Sequence, residues 1–217
     1  MGDGWEVVRV WEPRVDEAGY ACEWRVLNAA DYGVTQLRPR LFIVGAPKGA
    51  RQPHLPLETH FGGWERRSRQ RPPNAAPNVI TGDALNGLVA DSEPGELVRG
   101  QWAYLLPKIP PGDNYLHFTA RRGHPEPVFE WRSRYWSFLL KLDPCRPSPT
   151  IQAHPGPNLG PFHWESRRRR VPEMKRLFGF PDSFEFVGSR SSGQAQLGNS
   201  VCPPLARRVC EEVVRAL

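Results

Sequence analysis

The chain has 217 residues, a net charge of +6 and a sequence pI near 9.5, which favours an anionic partner, nucleic acid first. A hydrophobic share of 39% and eight tryptophans exclude a disordered chain and are sufficient for a core. Because Cys22, Cys145, Cys202 and Cys210 form no Cys-x-x-Cys pair and no histidines have zinc spacing, we expect reduced thiols, a cytoplasmic location and no metal. No apolar segment predicts a membrane span.

Two apolar runs near the start of the sequence, Trp24–Leu27 and Leu41–Val44, have the composition of β-strands. Asp31, Gly33 and Pro39 are turn residues and mark the connection between them. The pattern therefore predicts a β-hairpin. Before it, residues 5–10 alternate in a way typical of a strand or of the end of a helix.

The hairpin connection contains Gln36, Arg38 and Arg40 at every second position. In an extended segment this spacing directs all three side chains to one face. An amide and two guanidinium groups together suit planar polar edges and phosphates. The alternative is a solvated hairpin tip with exposed arginines, and the spacing alone leaves both interpretations open.

Two further segments precede the centre of the chain. A polar loop contains Arg66, Arg67, Arg69 and Arg71, which either contact phosphates or are only solvated. Thr81–Leu88 predicts a short helix with Thr81 as its N-cap.

Gln101–Pro161 is rich in aromatic residues and arginine, and its turn signals predict short strands. This composition indicates either a small β-rich core with a polar rim or a nucleic-acid surface. The candidate DNA-binding residues are Arg121, Arg122, Arg132 and Arg134.

A helix is predicted between Arg167 and Phe184, with Pro172 in its first turn and Gly179 at its end. The run of four arginines before this helix is either a solvated charge run or a phosphate clamp, for which Arg167 and Arg168 are the candidates.

A second helix is predicted to open at Pro203-Pro204 and to continue to the end of the chain. The preceding Gly198-Asn199-Ser200 is predicted as a tight polar turn, whose backbone donors could bind a ligand or which could simply cap the helix.

The segment 28–45, Asn-Ala-Ala-Asp-Tyr-Gly-Val-Thr-Gln-Leu-Arg-Pro-Arg-Leu-Phe-Ile-Val-Gly, resembles a block of the DNA (cytosine-5)-methyltransferases. The resemblance implies that Gln36 and Arg38 line the active site and that Arg40 binds the flipped cytosine. Thr35 stands where the family usually has proline.

Two later segments resemble the same family. Arg176-Leu177-Phe178-Gly179-Phe180-Pro181 is similar to its Arg-Leu-Gln-x-Phe-Pro block, with Phe178 in place of glutamine. Gln-Leu-Gly-Asn-Ser-Val-Cys-Pro-Pro at 196–204 resembles its last block. This implies that Asn199, Ser200 and Val201 border the pocket for S-adenosylmethionine.

The resemblance implies a partial α/β fold in three parts. Residues 1–47 would end the catalytic domain, 48–186 would form a small, irregular, mostly β target-recognition domain, and 187–217 would be a helix that returns to the catalytic domain. The parallel sheet of that domain would lie mostly outside this chain.

The catalytic groups of the family are not found in the sequence. Methylation of cytosine C5 needs a thiolate, a carboxylic acid and a bound methyl donor. The family's Pro-Cys-Gln, Glu-Asn-Val and Gly-rich segments have no match, and the one Pro-Cys pair, Pro144-Cys145, lies in the recognition region.

We therefore expect a restriction-modification type enzyme in which this chain binds duplex DNA and is inactive alone. Its partner would be an N-terminal catalytic subunit or a missing N-terminal half. A split enzyme, a late start and a truncation stay open. The alternative is a non-catalytic DNA-binding module or regulator, or an inactive remnant.

Overall fold

The computed structural model describes residues 5–62 and 70–217, so Arg66, Arg67 and Arg69 of the basic loop lie outside the described residues. The chain forms two compact units. We call the first the hairpin unit, which comprises the described residues of 1–34, 38–78 and 201–217. We call the second the central unit, which comprises residues 35–37 and 79–200.

The hairpin unit begins with helix α1, Trp5–Glu17, so residues 5–10 are the beginning of a helix and neither a strand nor the end of a helix. Strands β1, Tyr20–Asn28, and β2, Pro39–Pro47, then pair antiparallel in the predicted hairpin. The short parallel strands β3, His60–Phe61, and β4, Ala76–Pro77, form a second small sheet, and helix α5, Pro203–Ala216, ends the chain.

A 3-10 turn at Ala29–Tyr32 follows strand β1, and all four of its residues are buried in the hairpin unit. The side chain of Asn28 accepts hydrogen bonds from the backbone N–H groups of Ala30 and Arg38, so it caps the turn and fixes the return of the chain. Gly33 ends the turn at a φ of 83°, a left-handed conformation that glycine adopts at low cost. Both α5 and β3 pack against this turn.

The two faces of the hairpin differ in burial. Residues opposite each other in an antiparallel pair share a face, and so do alternate residues of one strand. Val44 pairs with Glu23, which lies on the same face as Leu27, and both Leu27 and Val44 are buried. Val26 and Ile43 lie on the other face and are 51% and 42% exposed. The hairpin unit therefore presents an apolar sheet surface to solvent.

The central unit contains three α-helices, α2 at Thr81–Leu85, α3 at Val171–Phe178 and α4 at Arg190–Asn199. Helix α3 packs against both α2 and α4. A second core, apart from these helices, consists of aliphatic and aromatic side chains: Leu105, Leu106, Ile109, Tyr115, Phe118, Leu139 and Phe162.

The short strands predicted for Gln101–Pro161 are absent from that segment, all of which the structure describes. It forms 3-10 turns at Ala103–Lys108, Tyr115–Phe118 and Ala120–Arg122, and it contributes residues to three isolated β-bridges. Proline cannot donate to a β-ladder, and the Asn114 side chain accepts from the N–H of Leu116 and starts a turn. The aromatic side chains pack together from irregular backbone instead.

Helix α2 differs from its prediction at both ends. Its N-cap is Ile80, and the hydroxyl of Thr81 donates to the carbonyl of Arg146 at 2.6 Å instead of capping the helix. The helix ends at Leu85, three residues before the predicted Leu88, because its C-cap Asn86 has a ψ of 136° that is not helical. The predicted starts and ends of α3 and α5 are confirmed: Gly179 caps α3, and Pro203 opens α5.

Candidate functional site

Gln36 belongs to the central unit and is fully buried there. It forms an isolated bridge with Ser148, and its side-chain carbonyl accepts a hydrogen bond from the N–H of Ile151 at 3.3 Å. Its amide nitrogen has no hydrogen-bond partner among the described residues. Burial of an unpartnered donor costs about 1–3 kcal/mol, so Gln36 is held at a cost in stability.

Arg38 and Arg40 belong to the hairpin unit and have different exposures. The Arg38 side chain is buried, and its backbone N–H donates to Asn28 at 2.8 Å. Burial, followed by the charge of Arg40, lowers the pKa of Arg38. Arg40 is exposed, and its Nη1 donates to the carbonyl of Pro39 at 2.7 Å. The interpretation of this segment as a solvated tip with exposed arginines is therefore wrong for Arg38.

Cys202 lies close enough to both arginines for their charges to act on its thiol. Its side chain is buried, and burial raises the pKa of the thiol to about 11 although Arg38 and Arg40 oppose that shift. The thiol stays protonated at neutral pH, and a protonated thiol is a poor nucleophile. Cys202 therefore has the properties of a packing residue.

The segment Gly198-Asn199-Ser200 is not the tight turn that was predicted, because Gly198 and Asn199 are the last two residues of α4. The N–H of Ser200 donates to the carbonyl of Leu197 at 3.0 Å and closes the helix. Its hydroxyl donates to the same carbonyl. The Ser200 N–H is thus engaged within the protein, while the side chains of Asn199 and Val201 are exposed.

Gly198 has a packing role that the sequence did not indicate. A Cβ atom at this position would lie 2.4 Å from the backbone nitrogen and Cα of Ala153. Only glycine allows the end of α4 to approach the backbone of that loop so closely. The glycine therefore positions Asn199 by contact between backbones.

Two of the predicted DNA-binding arginines of the central unit lie beside exposed aromatic rings. The guanidinium of Arg121 lies 5.1 Å from the centre of the Trp131 ring, and that of Arg132 lies 5.9 Å from the centre of the Tyr135 ring. Both rings are about half exposed. Cation–π contacts at such distances orient guanidinium groups without removing their charge.

The two other arginines predicted in this region are also exposed. Nη1 of Arg122 lies 3.7 Å from a carboxylate oxygen of Asp113, whereas Arg134 has a left-handed φ of 65°. We call the surface formed by Arg121, Arg122, Arg132 and Arg134 with Trp131 and Tyr135 the aromatic–arginine surface.

The four consecutive arginines before α3 have four different environments, so they are not a solvated charge run. Arg167 donates to both oxygens of Glu173 at 2.6 and 2.9 Å, and Arg170 donates to Glu96 at 2.6 Å. Arg168 donates to the carbonyl of Pro157 at 2.9 Å.

Arg169 is 4% exposed, and its Nε and Nη1 have no hydrogen-bond partner among the described residues. Burial, then the charge of Arg190, lowers the pKa of Arg169 to about 9. A buried guanidinium with two unused donors is rare, because the desolvation of charge is expensive.

A cleft of about 800 Å³ lies in the central unit beside Arg168. Its basic lining residues are Arg99, His154, Arg168 and Arg190, and Ser191, Ser192 and Gln194 add polar groups. Sequence reasoning missed Arg190. The available signal was an arginine in the first turn of a helix, where the helix dipole disfavours a cation.

In residues 5–62 and 70–217, no group of three or more His, Cys, Asp and Glu side chains could hold a metal ion. No helix within the same ranges is long and apolar enough to cross a membrane.

Comparison with known proteins gives the family directly. Residues 3–215 match the profile of the C-5 cytosine-specific DNA methylases. The chain belongs to this family. The match covers both the hairpin unit and the central unit, so the cytosine-5 methylase resemblance inferred from short segments extends over nearly the whole chain.

Relatives within the methylase family are type II methyltransferases. The chain is 48% identical over 211 residues to M.SacI of Streptomyces achromogenes, covering 93% of this chain and 52% of the relative. It is 31% identical over 193 residues to M.NgoFVII of Neisseria gonorrhoeae, covering 87% of this chain and 48% of the relative. The chain thus spans about half the length of these relatives.

Solved structures show the same methyltransferase-type fold. A prophage-encoded DNA modification methyltransferase of E. coli matches with a TM-score of 0.56 and 20% identity, covering 100% of this chain and 66% of the other. The Dnmt2 methyltransferase of S. pombe matches with a TM-score of 0.55 and 13% identity, covering 96% of this chain and 61% of the other. The coarse α/β prediction agrees with these neighbours.

Proposed function

We propose that this chain is the C-terminal part of a DNA (cytosine-5)-methyltransferase of restriction-modification type. In this proposal it supplies target recognition and parts of the cytosine and donor pockets, and a segment outside these 217 residues supplies the thiolate. Residues 1–47 end the catalytic domain, 48–186 form the target-recognition domain, and 187–217 return to the catalytic domain. The supporting observation is an exposed Arg40 beside a buried Arg38, within a chain of this family.

Arg40 is the group proposed to hold the target cytosine. A guanidinium keeps its positive charge at neutral pH and offers a planar fork of donors, which suits the polar edge of an unstacked base. The Arg40 guanidinium is exposed, and its hydrogen bond to Pro39, among the residues that the structure describes, leaves other donors available. Arg38 and Gln36 then act by shaping the backbone around it.

The donor pocket is proposed to include Asn199, Ser200 and Val201. The residues fit S-adenosylmethionine as one wall: Asn199 offers an exposed amide, and Val201 offers an apolar side chain that is 54% exposed. Ser200 acts by ending α4 through its bonds to Leu197. When bound, S-adenosylmethionine supplies the methyl group.

The nucleophile is proposed to lie outside this chain. Attack on cytosine C6 needs a thiolate, and Cys202 is buried with a pKa raised by that burial to about 11. Cys145 is exposed, but it is followed by arginine and belongs to the central unit. Alone, the chain is therefore expected to bind DNA and transfer no methyl group.

The open face of the hairpin supports the need for a further part. Val26, Ile43 and Tyr20 lie on the same face and are between 42% and 51% exposed. A contiguous apolar sheet surface is commonly an interaction site. In this proposal the N-terminal part of the methyltransferase packs on that face.

A second candidate function is a DNA-binding specificity module or regulator without catalysis. The aromatic–arginine surface favours it, because phosphate and base contacts need only exposed cations and rings. A gel shift on duplex DNA at increasing salt tests the binding itself. An affinity that does not fall with salt would argue against phosphate contacts.

The experiment that separates the two functions joins this chain to the N-terminal part of the Streptomyces relative. Transfer of a labelled methyl group from S-adenosylmethionine to duplex DNA is then measured for the joined protein, for this chain alone and for the N-terminal part alone. We expect transfer from the joined protein only. DNA binding by a folded joined protein without transfer would favour the non-catalytic module.

A further inference from the structure

The cleft beside α4 is lined by Arg168 and Arg190, which form no salt bridge among the described residues, although Glu93 attracts Arg190 from farther away. Within the described residues, no Asp or Glu oxygen lies within 4.0 Å of a guanidinium nitrogen of Arg168, Arg169 or Arg190, although neighbouring Arg167 and Arg170 both have such partners. The carboxylates nearby are already engaged: Glu173 accepts from Arg167, and Glu93 accepts from the N–H of Val171. The contrast indicates a site left open to an external anion.

Burial disfavours the charged form of each of these three arginines. Burial and the charge of Arg190 lower the pKa of both Arg168 and Arg169, and burial lowers that of Arg190. Arg190 also lies at the N-terminal end of α4, where the helix dipole already favours an anion over a cation. The repulsion between Arg168 and Arg190 would fall if an anion bound in the cleft that both line.

The donors of the cleft are oriented by neutral groups, which leave their charge in place. Arg190 donates to the carbonyl of Arg169 and to the side chain of Gln194, and the buried Gln194 is fixed by its bond to the carbonyl of Gln152. Arg168 donates to the carbonyl of Pro157, and its guanidinium lies 5.6 Å from the centre of the Phe162 ring. Such preorganised guanidinium forks match the geometry of a phosphate.

We propose that the cleft lined by Arg99, Arg168 and Arg190 is a phosphate-binding site. Its volume of about 800 Å³ exceeds what a lone phosphate needs, so a phosphate attached to a sugar also fits. Two sources share this chemistry: a phosphodiester of duplex DNA and free phosphate. The DNA source rests on the proposed function, whereas phosphate binding by itself does not.

The first test measures the melting temperature of the full chain in inorganic phosphate and in chloride at equal ionic strength. A ligand that binds only the folded chain raises that temperature. We expect phosphate to raise it, and the double variant Arg168→Gln/Arg190→Gln to lose that shift. Arg215→Gln is the matched control, because Arg215 is exposed on α5 and paired with Glu212. An equal shift in the double variant and the control overturns the proposal, as does the absence of any shift in the wild type.

The double variant also distinguishes an open site from a structural cluster. Because the arginines repel one another, we expect the melting temperature of the double variant in chloride to be at or above that of the wild type. Substitutions that remove like charges from a binding site commonly stabilise the folded protein. A large drop in chloride would mean that the arginines act in folding and would overturn the proposal. If the double variant does not fold, Arg190→Gln alone is used, with loss of at least half of the phosphate shift expected.

The second test identifies the source of the phosphate by the salt dependence of binding to a short duplex. Each phosphate neutralised on B-DNA contributes about −0.9 to the slope of log affinity against log salt. If the DNA backbone binds here, the double variant has a slope shallower by about one, and Arg215→Gln has the wild-type slope. If only the inorganic phosphate shift is lost, the site stands with free phosphate as its ligand.

The outcomes are separable from those of the proposed function. Methyl transfer by the joined protein without a phosphate shift would remove this site and leave the methyltransferase assignment intact. A shift of the melting temperature in phosphate without methyl transfer would keep this site and argue against the methyltransferase assignment.

Discussion

Two arginines separated by one residue have different environments in this protein, and each environment implies a different task. Arg38 is buried near Cys202, whereas Arg40, two positions later, is exposed. A buried guanidinium fixes local structure, and an exposed one can bind. This difference gives the first prediction, which concerns the joined protein.

In the joined protein, Arg40→Ala removes a charge-assisted contact to the target base. Such contacts contribute about 1.5–3 kcal/mol, so the rate of methyl transfer should fall about 10- to 100-fold. Affinity for duplex DNA should change little, because most of it comes from phosphates. Single-turnover kinetics with Arg208→Ala as control checks this. A transfer rate in Arg40→Ala equal to that of the control would remove Arg40 from the pocket.

His163 gives a prediction of pH dependence. Burial lowers its pKa to about 4, from about 6.5 in an unfolded chain. Between pH 6.5 and 4 the unfolded chain is protonated at this residue and the folded chain is not, so acid destabilises the fold. The loss reaches about 3 kcal/mol near pH 4 and is absent above pH 7.

The variant His163→Gln should therefore lose less free energy of unfolding than the wild type when the pH falls from 7 to 4. Denaturant unfolding at both pH values measures the difference, and His54→Gln is the control because its side chain is 80% exposed. Equal acid losses in the wild type and in His163→Gln would show that burial of this imidazole has no such effect.

Local signals predicted single residues well only where neighbours in sequence decide the outcome. Four consecutive arginines look alike in the sequence, yet Arg167 binds Glu173 while Arg168 lines a cleft. These environments depend on residues outside the run, such as Glu96, which binds Arg170, and Pro157, which accepts a hydrogen bond from Arg168. No pattern within the run contains that information.

At the scale of elements, the same distinction separates correct from wrong predictions. Helices α3 and α5 were predicted because proline at the start and glycine at the end act within one turn of the chain. The N-cap role of Thr81 was wrong because its hydroxyl bonds to Arg146, 65 residues away. Strands were wrongly predicted in Gln101–Pro161 because aromatic residues there form a core from turns.

Helix α4 gives the prediction at this scale. Gly198→Ala would place a methyl group 2.4 Å from the backbone of Ala153, so the end of α4 must move. Overpacking of this kind costs about 1–3 kcal/mol. Gly156→Ala is the matched control, since its added Cβ would meet only the Leu159 side chain at 3.5 Å. Denaturant unfolding of both variants measures the difference, and an equal, small loss in both would mean that the helix end is not fixed by this contact.

At the scale of the whole molecule, the proposed function depends on two exposed surfaces of the chain. The aromatic–arginine surface exposes rings and cations, and the open hairpin face exposes apolar side chains. The family and the general fold could be inferred from the sequence through short segments such as 28–45. The burial of Gln36 could not, because Ser148 and Ile151, which cover it, are more than 100 residues away.

The central claim, that this chain sets the DNA target, is tested most directly by mapping methylated cytosines. Two joined proteins are made, one with the N-terminal part of the Streptomyces relative and one with that of the Neisseria relative, and each is used to methylate the same genomic DNA. Sequencing then locates 5-methylcytosine. We predict that both joined proteins methylate the same sites, because both contain this chain. Sites that differ and instead follow the source of the N-terminal part would contradict the account.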